Sequence, residues 1–237
     1  MKEALNFTIS NTKLLANNRS DVSIYLQTFR PEAAAAAFQF HVEVIDNGDN
    51  QQTPDNLTQL EAGKDLEGNL DAETILGIDW PTPLTAFTTG GSPPFIPDIN
   101  TPTDSNEPYL AWVQHILAQH DLPQIISTSY GDDEQTVPLS FAKTVCNLFA
   151  QLGARGTSVL FSSGDGGVGG DVEDCVTNDG RNKTTFLPSF PDGCKFFLFL
   201  FAYCPKNSIT SKAKVLLNTT NFFLCIQLNV SFIGTGF

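Results

Sequence analysis

A helical stretch from Leu139 to Ala154 runs into Gly156, and the apolar run Ser158–Phe161 follows at once. A run that is apolar on both sides reads as a strand covered on both faces, the kind found in parallel sheets. Glycine just past the last helical residue is the usual stop, because it enters the left-handed region without steric cost. The alternation recurs upstream. Asp21–Arg30 reads as a helix stopped by Pro31, and Phe38–Ile45 as a β-branched strand. Leu66–Leu76 reads as a helix with Leu66, Leu70 and Ile75 facing inward, and Leu84–Thr88 as a strand. Asn106 is the expected N-cap of a helix running to His120, and Ile125–Ser129 is the next strand. Only the alanine run after Glu32 stays ambiguous. Helices alternating with apolar strands define βαβ units, so the expected fold is α/β, a parallel sheet flanked by helices.

Charge narrows the function classes. The 237 residues carry a formal net charge of −13. Phosphate binding needs clustered Lys and Arg, so nucleic acid is not an expected partner. An acidic balance suits work at low pH, where protonation relieves self-repulsion. Sequons at Asn6, Asn18, Asn56, Asn182, Asn218 and Asn229 point to a secretory history. The opening residues MKEALNFTIS form no apolar signal core, so the true N-terminus is expected to lie upstream. The longest apolar run, Phe196–Cys204, is too short to span a bilayer, so no membrane partner is expected. Cys175 and Cys194 flank a polar loop and are expected to close it as a disulfide, with Cys146 as a free thiol; no cysteine spacing suggests a metal.

Three carboxylates carry the chemistry. Glu67 and Asp71 are four residues apart, which puts them one turn apart on one helix face. Asp165 lies in the glycine-rich turn SSGDGGVGG that follows the Ser158–Phe161 strand. A histidine base is protonated in acid, whereas a carboxylate still serves. Two carboxyls in contact share a proton, which raises one pKa toward the working pH. His41, His115 and His120 are read as structural, since no nearby carboxylate completes a metal site with them. The acidic loop at 46–56 lacks the residue order of an EF-hand.

The segments NEPYLAW, STSYGDDE, LGARGTSVLFSSGDGGVGG and FLPSFPDGC occur in that order. They resemble the sedolisin (serine-carboxyl) peptidases, and among them the fungal tripeptidyl-peptidases, over roughly residues 18 to 194. The resemblance implies part of a subtilisin-like domain and a secreted, monomeric enzyme that releases tripeptides from free N-termini of peptide or protein substrates in acid. It assigns Glu67 as general base, Asp71 as its support and Asp165 as donor to the oxyanion. Ser129, Tyr130 and Gly131 fall where such folds line the substrate cleft with backbone. The family's calcium site is expected near its C-terminus, with ligands outside this chain.

The family's nucleophile is the serine of an SGTS motif, and the 237 residues contain none. Ser158, in the sequence GTS, opens a core strand and is a decoy. Two alternatives therefore stay open: an inactive fragment without its nucleophile, and an endopeptidase of the same family. Composition also breaks at Cys194. The residues up to it carry all 26 acidic side chains, whereas 195–237 hold four lysines, no acid and eight of the 19 phenylalanines. The chain is accordingly read as a peptidase-domain portion at 1–194 and a foreign tail at 195–237, as translation into an intron would produce.

Overall fold

The computed structural model describes residues 7–11 (backbone only), 16–162, 174–191, 193 and 194. Five strands form one parallel sheet: β1 (Phe7–Asn11), β2 (His41–Ile45), β3 (Leu84–Thr89), β4 (Ile125–Thr128) and β6 (Ser158–Phe161). Their order is β2-β3-β1-β4-β6. Register is set by the pairs Ile9↔Ala86, Ile9↔Ser127, Val42↔Ala86 and Ile126↔Val159. Two very short strands, β5 (Asp132–Asp133) and β7 (Ser189–Phe190), pair antiparallel beside this sheet.

Helices cover both faces. On one side lie α1 (Arg19–Phe29), the 3-10 helix Pro31–Phe38 and α3 (Leu66–Asp79), preceded by the short α2 (Leu57–Glu61). Their buried side chains, among them Val22, Leu26, Ala37, Ala72 and Leu76, meet Leu84 and Ala86 of β3. On the other side are α4 (Tyr109–Ala118) and α5 (Leu139–Ala154). Trp112, Ile116, Val145 and Phe149 there pack on Phe87, Ile126, Val159 and Phe161. β3 feeds both cores because alternate residues point to opposite faces. The expected α/β architecture is the observed one, and the alanine run resolves as the 3-10 helix.

Several expectations about single residues are corrected. The buried face of α3 carries Gly68, Ala72 and Leu76, whereas Leu66 and Leu70 are 73% and 40% exposed. The small residues let the helix lie close to the sheet, and that choice of face turns Leu66 and Leu70 outward. Asn106 does not cap α4, which starts after Pro108. Its side chain is buried instead, donating to the carbonyl of Thr136 and accepting from the Thr136 hydroxyl. The Cys175–Cys194 bridge and the free Cys146 are both overturned. Cys194 is bonded to Cys146, with Cα atoms 5.2 Å apart, and Cys175 is disulfide-bonded elsewhere. The bridge ties α5 to the chain beyond β7, a contact that loop length could not reveal.

Candidate active site

The chain leaves β1 toward β2 and β3 on one side and later returns to β4 on the other. In open α/β sheets, ligands bind at the carboxyl ends of the strands where the order reverses in this way. Here α3 belongs to the first half and the segment after β4 to the second, and the two meet across the reversal. Ser129, directly after β4, donates its hydroxyl to Oδ1 of Asp71 at 2.9 Å.

The first turn of α3 is fastened to the segment that follows β1. The backbone N–H of Ala16 donates to Oδ1 of Asp65 at 2.8 Å. The Asn17 amide donates to the carbonyl of Gly68, and the Asn18 N–H donates to Oδ1 of Asn69 at 2.8 Å. Asp65 is left-handed, with φ 63°, and its carboxylate serves this cross-link rather than capping its own helix. Glu67 and Asp71 therefore sit on a helix turn held in place before any substrate arrives. The sequence reading missed Asp65, Asn17 and Asn18. The Asn-Asn-Arg-Ser start of α1 is a cap signal, but nothing local says that those asparagines also reach α3.

Asp71 is pushed up to about 7, chiefly by burial and further by the charge of Glu67, while the Ser129 hydrogen bond pulls the other way. Its carboxyl is therefore held largely neutral in acid, one turn along α3 from Glu67. Tyr130 offers its backbone carbonyl to the Tyr109 hydroxyl at 3.0 Å. Gly131 runs alongside β7, where a Cβ would stand at ordinary contact distance, 3.4 Å, from the Phe190 carbonyl oxygen. β6 ends at Phe161, paired with Thr128, so the chain leaves β6 toward Asp165 at the same end of the sheet as Ser129. Asp165 itself lies outside the described residues. Ser158 pairs with Ile125 at the opposite end of β6, roughly 10 Å away by strand rise, and so is remote from the pair.

A second group of carboxylates, Asp132 buried and Asp133 and Glu134 half-buried, lies beside this end. Asp132 is pushed up to about 7 by burial, opposed by the Glu107 N–H and reinforced by Asp104 and Asp133. Asp133 and Glu134 are raised as well, both by burial first. These residues pin the long loop before α4: Thr101 donates to Asp133, Gln135 to Asp98, and the Ile96 N–H to the Thr136 carbonyl. Among the described residues, no group of three or more His, Cys, Asp or Glu side chains is arranged to hold a metal ion. In the acidic loop at 46–56, the ammonium of Lys64 reaches Asp49 at 2.7 Å and Asp55 at 3.8 Å. His115 pairs with Glu43 at 2.6 Å, tying α4 to the edge strand β2. No helix among the described residues is long and apolar enough to cross a membrane.

The fold and this carboxylate cluster define an α/β protein with acid side chains gathered at the carboxyl end of its parallel sheet, and sequence comparison supplies the relatives. The chain is 45% identical over 184 residues to tripeptidyl-peptidase sed4 of Aspergillus fumigatus, matching 76% of this chain and 29% of that protein. It is 41% identical over 181 residues to tripeptidyl-peptidase SED2 of Arthroderma otae, matching 74% of this chain and 28% of the relative. Over that stretch the chain is similar to fungal tripeptidyl-peptidases, as its motifs implied, and it spans less than a third of the length of those it matches. Among solved structures, a Pseudomonas sedolisin (serine-carboxyl proteinase), complexed with pseudo-iodotyrostatin, matches 80% of this chain and 46% of its own. That match has 17% identity and a TM-score of 0.45. No family model matches the chain.

Proposed function

We propose that this chain supplies the acid–base part of a serine-carboxyl peptidase that releases tripeptides from free N-termini in acid. The observation that carries the reading is Asp71, half-buried one turn from Glu67 on α3 at the reversal point of a parallel sheet, bonded by Ser129 and with its carboxyl pushed up to about 7. The curated relatives that bear the name tripeptidyl-peptidase support it.

In this reading Glu67 takes the hydroxyl proton as the serine oxygen bonds to the scissile carbonyl carbon. Asp71 steadies Glu67 by a shared proton. Asp165, protonated in acid, donates to the oxygen that becomes negative. Glu67 then returns its proton to the leaving amine as the C–N bond breaks, and water repeats the sequence on the acyl-enzyme. The attacking serine belongs to an SGTS segment, which the 237 residues do not include. The backbone at Ser129, Tyr130 and Gly131 borders the substrate. Secretion, glycosylation, a calcium ion held by ligands outside this chain, a monomeric state and the domain boundary near Cys194 belong to the same reading.

The test is release of tripeptide from a chromogenic substrate by the purified protein at about pH 3 to 6. In a form that includes the SGTS segment, Glu67→Gln is expected to lower kcat by about 1,000-fold or more, the scale of losses when serine-peptidase groups are deleted. Turnover that survives Glu67→Gln overturns the assignment. Cleavage of substrates with blocked N-termini favours the endopeptidase alternative. Turnover restricted to a form that includes an SGTS segment identifies that serine as the attacking group.

A further inference from the structure

We propose that Ser129 is a positioning residue of the acid pair: by holding Oδ1 of Asp71 it assigns the carboxyl proton to Oδ2, the oxygen left for Glu67. This rests on the reading of Glu67 and Asp71 as a working pair, but its first test does not need turnover.

The Ser129 hydroxyl donates to Oδ1 at 2.9 Å. Oδ2 is buried and has no hydrogen-bond partner among the described residues. A buried carboxylate oxygen without a donor is costly, whereas a protonated oxygen carries a donor of its own. A protonated carboxyl has one O–H. If that proton sat on Oδ1 it would point at the serine, and Ser129 would have to accept it. The pair would then have no proton to share. With Ser129 donating, Oδ1 is an acceptor, and the proton is confined to Oδ2.

Among the described residues, the surroundings leave Glu67 as its destination. Glu67 is the charged group whose field reaches Asp71. The segment after β1 contributes Asn17 and Asn18, which are uncharged and bound to Gly68 and Asn69. From beyond β4 come Ser129 and the Tyr130 carbonyl, the latter bound by Tyr109. The two partners lie 58 residues apart and on opposite halves of the sheet. The hydrogen bond thus sets the proton and also locks α3 to β4.

The experiment follows the Asp71 carboxyl by carbon-13 NMR during a pH titration of the full chain, beside Ser129→Ala and Ser129→Thr. Loss of a hydrogen bond to the charged form is expected to raise the Asp71 midpoint in Ser129→Ala by about one pH unit, a tenfold change in proton affinity. Ser129→Thr keeps the hydroxyl and is expected to titrate like the parent. In the active enzyme, Ser129→Ala is expected to lower kcat about tenfold or more with KM little changed, and Ser129→Thr to restore it. An Asp71 midpoint that is the same in all three proteins overturns the proposal. So does complete loss of turnover in both variants with an unmoved midpoint, which would make Ser129 the attacking group. Should Ser129→Ala fail to fold, Ser129→Cys gives the same titration comparison with a weaker donor. Should Glu67→Gln spare turnover, the peptidase reading fails while the Asp71 titration still decides the role of Ser129.

Discussion

Asn18 and Asn182 carry the same sequence signal and have opposite surroundings. Asn18 is 6% exposed, caps α1, and its side-chain oxygen accepts from the N–H and the hydroxyl of Ser20. Asn182 is exposed in a left-handed turn, and Asn56 is exposed with its side-chain oxygen in a capping box with Gln59. Expression in a glycosylating host, followed by peptide mapping, is therefore expected to find glycan on Asn56 and Asn182 and none on Asn18. Asn18→Ala is expected to cost about 1 kcal/mol in urea unfolding through the lost cap. That Glu67 and Asp71 lie one turn apart on one helix was legible in the sequence from their spacing. The Ser129 contact was not legible, since chain order says nothing about which side chain from beyond β4 arrives there.

The helix α3 shows where element-level reading succeeds and fails. Its existence and start follow from helix-forming residues, but it runs to Asp79, past the expected end at Leu76, and its orientation does not follow from its leucines. Leucine is favoured inside only where there is room, and the seat of α3 against the sheet takes Gly68 and Ala72. Leu76→Ala is accordingly expected to cost about 2–5 kcal/mol by opening a cavity under the helix. Leu66→Ala is expected to fall within about 0.5 kcal/mol of the parent, as at other exposed sites. Chemical unfolding of the two variants side by side checks the orientation. Strands β3, β4 and β6 were legible as short runs rich in apolar and β-branched residues between helical segments. The cap of α4 was not, because Asn106 bonds a residue 30 positions away. The Cys146–Cys194 bridge closes a separation of 48 residues, for which chain entropy gives roughly 4 kcal/mol. Cys146→Ala in oxidised protein should lower stability on that scale.

At the scale of the whole molecule, the buried acids bear on where the fold is stable. Asp71 and Asp132 both hold their protons up to about 7 in the folded chain and have an ordinary value of 3.8 outside it. The folded state therefore binds more protons between these limits, and stability falls as pH rises through that window. Each such group contributes a slope of up to about 1.4 kcal/mol per pH unit. Thermal unfolding is expected to give a higher Tm near pH 4 than near pH 7. Asp71→Asn or Asp132→Asn, neutral at every pH, should each flatten part of that slope. A flat or rising profile would show that these carboxyls ionise without penalty.

Lys64 bears on the same molecule from another direction. Its nearly buried ammonium stands between Asp49 and Asp55 and also donates to Gln51 at 2.8 Å. A loop rich in acids commonly borrows its counter-charge from the medium. Here the counter-charge is spelled into the chain, so it cannot be diluted, chelated or exchanged for a competitor. The order of this loop is thereby settled when the polypeptide is made, and the fluid the protein enters has little say in it.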